Sequence, residues 1–269
     1  MPEPPPPEIA AALAASAGRR GTIGARIWYF SEIPSTNDVA ISLAEQGAAQ
    51  GTTVIASAQT AGRGRLGRGW HSPPGAGLYV SVVFRDARYA PMLTLTGGVA
   101  VADGIRAATG LPVEIKWPND IVVPEGLARS RRLKLAGILA EASTGAEGLQ
   151  HVILGFGINV RPAPYPQELT NIATSIEAEL GRTADAGSVL AETLAALNEQ
   201  VQRLEAGDAQ SVLNRWRALA PLAVGSSVEW DRAGARRRGT TAGIDYDGAL
   251  LVRADEGTER ILSGEVRWL

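Results

Sequence analysis

Hydrophobic positions in the first 220 residues switch between the period of a strand and the period of a helix. Short runs rich in branched and aromatic side chains predict strands at 26–31, 52–57, 78–84, 113–117, 133–142 and 152–160. Longer segments with apolar residues three and four apart predict helices at 8–17, 35–47, 91–109, 188–204 and 208–219. We expect the strands to form one sheet with the helices packed on it.

The pattern changes at Pro221, after which short apolar runs alternate with turn signals. Turns are predicted at 245–248 and 255–257, and a basic hairpin tip at Arg236–Arg238. Four or five strands in under fifty residues predict a small β-barrel. The predicted fold class is α+β, with an N-terminal extension and short helix at 1–25, a sheet-and-helix unit at 26–220 and a β domain at 221–269.

Composition narrows the class of protein. Hydrophobic residues make up 45% and charged residues 20%, and the net charge is −2, which argues against a disordered chain and against binding nucleic acid by bulk attraction. The absence of cysteine excludes disulfides, thiolate zinc sites and a cysteine nucleophile. No apolar run approaches the roughly 18 residues of a membrane span, and the N-terminus lacks a signal-peptide pattern. We therefore expect a cytoplasmic protein without membrane contact.

A glycine-rich segment at 61–77 follows the second predicted strand. The spacing of Gly62, Gly64 and Gly67 matches a dinucleotide-binding fingerprint. That motif requires a helix to open at the third glycine, because the pyrophosphate binds at the helix N-terminus. Pro73 and Pro74 prevent such a helix. We therefore interpret the segment as a loop.

The same loop carries three arginines, Arg63, Arg65 and Arg68. Guanidinium groups bind carboxylate and phosphate oxygens in pairs, and the glycines between them let the backbone close over an anion. Trp70, at the end of the loop, offers a flat face for a purine. A solvated basic loop beside a core tryptophan would give the same pattern, so the loop alone does not decide between the two interpretations.

Two further motifs contain both lysines of the chain. In Lys116–Asp120 a predicted strand ends in a lysine, an aromatic ring, an amide and a carboxylate, so Asn119 could read a base edge and Asp120 could hold a lysine, a metal or an amine. Lys134 lies just inside an apolar strand, where an ammonium is costly unless an anion joins it. Either lysine could equally form a surface ion pair.

Two glycines interrupt the last predicted strand of the first unit, Gly155 and Gly157. Glycines inside a strand commonly mark the close approach of a ligand, although a bulge gives the same signal.

In their order along the chain, these segments resemble biotin protein ligase. The matching segments are Ser35–Asn37, Gly62–Trp70, Lys116–Asp120, Lys134–Gly137 and Gly155–Asn159. The resemblance is strong over about 30–165 and rests on layout elsewhere. It implies a class II synthetase-like biotin–lipoate ligase catalytic domain and an SH3-like C-terminal domain. About 25 residues precede the first predicted strand, so we expect a short form without the DNA-binding domain and without sequence-specific DNA binding.

The resemblance also implies an activity. Members of this family activate biotin with ATP to biotinoyl-5'-AMP and transfer biotin to a lysine of a biotin carboxyl carrier protein. The expected substrates are ATP and biotin, with Mg²⁺ whose protein ligands the resemblance does not assign. The chain is expected to be a monomer or a homodimer.

Residue roles follow from the matched motifs as implications of the resemblance. The implied catalytic residues are Lys134, Arg65, Arg68, Asp120 and Lys116. The implied biotin contacts are Ser35, Thr36, Asn37, Gln59, Gly62, Arg63, Gly64, Arg65, Lys134, Gly137, Gly155 and Gly157. The implied ATP or adenylate contacts are Arg65, Arg68, Trp70, Asn119, Lys134 and Asn159.

Two alternative functions are compatible with the same segments. A lipoate or octanoate ligase would need a narrow apolar tunnel, whereas Ser35, Thr36 and Gln59 offer partners for the ureido group of biotin. A biotin-binding regulator that has lost transfer would not need Asp120 or Lys134.

Overall fold

The computed structural model describes residues 1–125, 132–145, 148–232, 234–262 and 264–269. The larger sheet of this described part is built from strands β1 (Ile27–Phe30), β2 (Thr53–Ala56), β3 (Gly77–Phe84), β4 (Glu114–Lys116), β5 (Asp120–Val123), β6 (Leu133–Gly145) and β7 (Gly148–Asn159). Their order is β1-β2-β3-β7-β6-β5-β4. The β1–β2 pair is parallel and the other pairs are antiparallel, so the sheet is mixed.

Helices cover the two faces of this sheet unequally. They are α1 (Pro7–Ala15), α2 (Ala17–Arg20), α3 (Thr36–Glu45), α4 (Leu93–Thr109), α5 (Ile176–Leu180), α6 (Ala186–Glu205) and α7 (Ala209–Leu219). Alternation along β7 sends Leu154, Phe156 and Ile158 into the main core that α4, α6 and α7 share. On the other face, α3 packs on a smaller cluster that includes Val83 and Ile153.

The part of the second face that α3 leaves uncovered carries small side chains. The register places Gly137 of β6 opposite Gly157 of β7, and Gly155 of β7 opposite Ser81 of β3. Cross-strand neighbours that lack side chains leave a hollow above the sheet. This hollow is the floor of the cavity described below.

A second sheet forms the C-terminal part of the chain. It is made of β8 (Val224–Arg232), β9 (Ala235–Ile244), β10 (Leu250–Ala254), β11 (Gly257–Ile261) and β12 (Val266–Trp268), in the antiparallel order β11-β10-β9-β8-β12. Trp230 and Leu250 belong to the same hydrophobic cluster as the main core, so the two sheets pack together. The predicted fold class is confirmed, whereas a domain boundary near 220 remains a prediction.

Local details differ from the sequence prediction. Strand β5 and the short helix α5 were not predicted. Arg236–Arg238 were predicted at a hairpin tip but lie inside β9, opposite 229–231 of β8. The turn falls earlier because Gly234 has φ +80°, a left-handed conformation that glycine adopts readily, and Arg232 and Ala235 form the last pair before it. Within the described ranges, no helix combines the length and the apolar character needed to cross a bilayer.

Candidate active site

A cavity of about 530 Å³ lies between the 61–77 loop, the start of β12 and three glycines of the sheet. These glycines, Gly137, Gly155 and Gly157, are called the glycine floor below. The residues predicted from the sequence that line it are Ser35, Thr36, Asn37, Gln59, Arg63, Gly64, Arg65, Arg68, Trp70, Lys116, Asn119, Asp120, Lys134, Gly137, Gly155, Gly157 and Asn159. Gly62 is buried at the base of the loop instead, where an added Cβ would lie 2.6 Å from the carbonyl oxygen of Trp70. Five segments far apart in sequence thus share one cavity, with Gly62 shaping the loop behind it.

The indole of Trp70 lies on the glycine floor. A Cβ on Gly157 would be 2.3 Å from Nε1 of Trp70, and a Cβ on Gly137 would be 2.9 Å from its Cζ3. Nζ of Lys134 is 5.1 Å from the ring centroid, within the range of a cation–π interaction. The two glycines are therefore required for the ring to reach this position.

One end of the cavity is polar. The Gln59 side-chain oxygen accepts hydrogen bonds from the backbone N–H of Thr36 at 2.8 Å and from its hydroxyl at 3.1 Å. The Gln59 amide nitrogen donates to Oγ of Ser72 at 2.9 Å. Ser35 is the N-cap residue of α3 and has an extended conformation. This end offers fixed donors and acceptors at the start of a helix.

Asn37 belongs to a network that sequence analysis did not identify. Its Oδ1 accepts from the Ser81 hydroxyl at 2.5 Å, and its Nδ2 donates to Oε2 of Glu141 at 2.5 Å. A Cβ on Gly155 would lie 2.3 Å from the same Oδ1, so glycine is needed there. Glu141 also binds Nη2 of Arg63 at 2.8 Å. Period-two alternation from Gly137 through 139 to 141 could have placed Glu141 on the same face of the sheet as Gly137.

An ion pair joins the strands on the opposite side of the glycine floor. Nζ of Lys134 lies 2.6 Å from Oδ1 of Asp120, and their side chains are 32% and 27% exposed. Asp120 therefore supplies an anion to this ammonium, in agreement with the alternative that Asp120 holds a lysine. Lys116 lies opposite Asp120 in the β4–β5 pair. Burial lowers the pKa of Lys116, an effect that Asp120 opposes and Lys134 reinforces.

Arg65 reaches the same region from the loop. Its Nη1 donates to Oδ1 of Asn119 at 3.3 Å, while Nδ2 of Asn119 donates to the carbonyl of Ile138 at 2.7 Å. Burial lowers the pKa of Arg65, and the nearby Asp120 opposes that shift. Arginine remains charged nevertheless, so Arg65 and Lys134 present two cations to the cavity.

The 61–77 loop also contacts the C-terminal sheet. Arg68, predicted to meet phosphates, forms an ion pair with Glu265 just before β12. The loop folds back on itself, because the Gly64 N–H donates to the Arg68 carbonyl at 2.7 Å. Leu66 at its tip is 64% exposed and has φ +57°. Nothing in the loop sequence points to Glu265, which is distant along the chain.

Asn159 closes the cavity at the end of β7. Its Nδ2 donates to the Thr174 carbonyl at 2.9 Å, and the Tyr165 hydroxyl donates to the same oxygen at 3.2 Å. Burial raises the pKa of Tyr165. The 160–175 segment is thus tied to the strand that carries the floor glycines.

Comparison with known proteins assigns both parts of the chain. Residues 29–159 match the Biotin/lipoate A/B protein ligase family, and residues 235–267 match the Biotin protein ligase C terminal domain. The chain is 34% identical over 249 residues to the bifunctional ligase/repressor BirA of Bacillus subtilis (strain 168), covering 91% of this chain and 74% of that protein. It is 33% identical over 239 residues to the biotin–[acetyl-CoA-carboxylase] ligase of Paracoccus denitrificans, covering 86% of this chain and 96% of that one.

A solved structure supports the same assignment. Biotin protein ligase from Aquifex aeolicus, in complex with biotin and ATP, superposes with a TM-score of 0.77 at 28% identity, covering 91% of this chain and 99% of that one. The two sequence matches and the structural match each cover most of this chain. The chain therefore belongs to the biotin protein ligase family.

Proposed function

We propose that the protein condenses biotin with ATP to biotinoyl-5'-AMP and transfers the biotinoyl group to a lysine of a biotin carboxyl carrier protein. The observation that carries this proposal is that Lys134 and Arg65 line one cavity with the polar end formed by Thr36 and Gln59. The relatives support it, since one is named a biotin–[acetyl-CoA-carboxylase] ligase and another was solved with biotin and ATP. The need for ATP fits action in the cytoplasm.

In the first step a carboxylate oxygen of biotin bonds to the α-phosphorus of ATP. The bond from that phosphorus to the bridging oxygen breaks, and diphosphate leaves with the electron pair. Two anions must approach each other, so fixed cations lower the barrier most directly. Lys134 and Arg65 are the cations we assign to the meeting point, with Lys116 nearby and Arg68 released from Glu265 to the phosphates.

In the second step the acceptor amine attacks the carbonyl carbon of the mixed anhydride. The bond between that carbon and the AMP oxygen breaks, and AMP leaves with the electron pair. The amine must lose a proton to form the amide, so a carboxylate beside it can orient it and accept that proton. Asp120 is the carboxylate we assign to this role, because it lines the cavity beside Lys134.

Recognition of the two substrates divides between the ends of the cavity. We assign the ureido group of biotin to Ser35, Thr36, Asn37 and Gln59, with Arg63 and Gly64 closing over it. Gly137, Gly155 and Gly157 line the part of the cavity that we assign to the biotin rings. Gly62 allows the loop its close packing. Trp70, Asn119 and Asn159 are assigned to the adenylate.

Mg²⁺ enters this proposal with the nucleotide. Across the described ranges, no three His, Cys, Asp or Glu side chains lie together to hold a metal ion. Asp120 and Glu265, the carboxylates on the cavity wall there, are each ion-paired. These residues do not fit a resident metal centre, so the ion is proposed to arrive bound to the triphosphate as part of the substrate.

The test compares biotin with lipoate as the acid that the protein activates. Purified protein is incubated with ATP and either biotin or lipoate, and diphosphate release is measured before and after a carrier domain is added. We expect diphosphate with biotin, and biotin on one carrier lysine. Faster release with lipoate would favour the lipoate ligase alternative, and adenylate without transfer would favour the regulator.

A further inference from the structure

We infer that the C-terminal sheet positions the catalytic Lys116–Asp120 segment through a hydrogen bond from the Trp117 indole to the carbonyl of Gly248. The Nε1–O distance is 3.0 Å, and Trp117 is 4% exposed. Trp117 is thus a positioning residue that acts through its neighbours in the chain. This inference rests on the proposed function, because adenylate formation is the reaction it is expected to control.

Gly248 belongs to a turn that is held rigidly. Oδ1 of Asp245 accepts from the backbone N–H groups of Asp247 at 3.1 Å and Ala249 at 3.0 Å. Arg260 binds both carboxylates, with Nε 2.5 Å from Asp245 and Nη2 2.7 Å from Asp247. A carbonyl held by such a network is a fixed acceptor, because the turn cannot swing without breaking several hydrogen bonds.

The turn also packs against helix α4 of the larger sheet. Gly248 has φ +85°, and a Cβ added to it would lie 2.7 Å from Cδ1 of Leu95 in α4. Glycine therefore meets two requirements, a left-handed backbone and direct contact with α4. The turn thus presents the Gly248 carbonyl at a defined position relative to the helix beneath the sheet.

On the other side of the hydrogen bond, a short path leads to the reacting groups. Asn119, two residues after Trp117, accepts from Arg65, and its backbone carbonyl accepts from the N–H of Ile138 at 2.9 Å. Asp120 pairs with Lys134. Removing the indole N–H leaves the Gly248 carbonyl without this donor, and moving the turn leaves the buried N–H unpaired. Either change frees the segment that places these groups. Small displacements of reacting groups lower kcat more than they lower affinity for a substrate bound elsewhere.

Three variants test the coupling. Trp117→Phe removes the donor while keeping an aromatic ring, and Asp247→Asn loosens the turn without touching the cavity wall. We expect each to lower kcat for adenylate formation about tenfold, with KM for biotin unchanged because Thr36 and Gln59 are not on this path. The control Asp255→Asn, in the next turn of the same sheet, is expected to keep the parental kcat.

The double variant separates positioning from a general structural effect. If the two groups act along one path, Asp247→Asn costs nothing further in a Trp117→Phe background. Parental kcat in either single variant, or losses that multiply in the double variant, would overturn the inference. If Trp117→Phe does not fold, the comparison of Asp247→Asn with Asp255→Asn decides.

A measurement that does not depend on catalysis tests this inference independently of the proposed function. Hydrogen exchange of the 116–121 backbone in the full chain is expected to accelerate in Asp247→Asn and to remain parental in Asp255→Asn. Equal exchange in the two variants would overturn the positioning role even where adenylation is active. Faster exchange in Asp247→Asn with no adenylate formed by the parent would uphold the coupling and refute the activity.

Discussion

Nζ of Lys134 lies 2.6 Å from Oδ1 of Asp120, across the adjacent strands β6 and β5. Both side chains are about one-third exposed or less, so water screens the pair less than it would at an open surface. The pair places an ammonium where the proposed first step gathers negative charge and a carboxylate where the second step must receive an amine. Because the two partners serve different steps, single substitutions can separate those steps.

Replacing Lys134 with Ala removes a fixed cation from the meeting point of two anions. We expect adenylate formation to slow by about 10²-fold or more, the usual scale for losing one such group. Lys134→Arg should recover only part of the rate, because the planar guanidinium does not place its charge like a compact ammonium. Rapid-quench measurement of diphosphate release checks both variants. Arg253→Ala, on an exposed position of β10, is the control, and a parental rate in Lys134→Ala would refute the assignment.

Asp120→Asn keeps the shape of the side chain and removes its charge. With isolated biotinoyl-5'-AMP as the donor, we expect transfer to a carrier domain to fall by about 10²-fold or more, the scale of general base catalysis. Adenylate formation should fall less, since Lys134 remains in place. Measuring the rates of adenylate formation and of biotin transfer separately tests this assignment. Equal losses of rate in the two half-reactions would contradict it.

Glu141→Gln weakens the network that holds Asn37 and Arg63. A charge-assisted hydrogen bond contributes about 1.5–3 kcal/mol, so we expect biotin to bind roughly tenfold more weakly or worse. Asp38→Asn is the matched control, because Asp38 also pairs with Arg63 at 3.0 Å but its side chain is 52% exposed. Titration calorimetry with biotin alone measures both. Equal affinities of the two variants would show that Glu141 has no positioning role.

His151 makes stability depend on pH far from the cavity. The residue is 2% exposed, and Nε2 has no hydrogen-bond partner among the described residues. Burial lowers its pKa below the ordinary value of 6.5, and Arg85 lowers it further. The unfolded chain therefore takes up a proton at a higher pH than the folded protein does. The stabilisation is complete above about pH 6.5 and is lost as the pH falls through the folded pKa.

Urea unfolding at about pH 7.5 and about pH 5, on either side of the ordinary histidine pKa, measures this effect. We expect the free energy of unfolding to decrease at the lower pH, and to decrease less in His151→Gln. The same pH dependence in His151→Gln and in the parent would contradict the assignment.

Local sequence signals predicted most of the helices and strands that carry the site residues. Pro34 and Ser35 mark the start of α3, and branched residues mark the long strands β3, β6 and β7. Strand β5 was not predicted because it is only four residues long and follows the 117–119 turn directly. The run of arginines at 236–238 predicts a turn there, whereas the turn forms at Gly234.

The contacts between site residues were harder to predict than which residues line the site. The family resemblance implied that Lys116, Lys134 and the loop arginines share one site, but it did not show that Lys134 has Asp120 as its anion. The pairing of Arg68 with Glu265 and of Trp117 with Gly248 joins segments more than a hundred residues apart. Such contacts depend on how the two sheets pack, which no local pattern in this chain encodes.

The central claim is that one cavity joins a biotin carboxylate to the α-phosphate of ATP. Mass spectrometry of an acid-quenched single turnover, with the protein in excess over biotin, tests it most directly. We expect biotinoyl-5'-AMP and an equal amount of diphosphate when both substrates are present, and neither product when one is withheld. Unchanged biotin, or ADP and phosphate in place of diphosphate, would contradict the account.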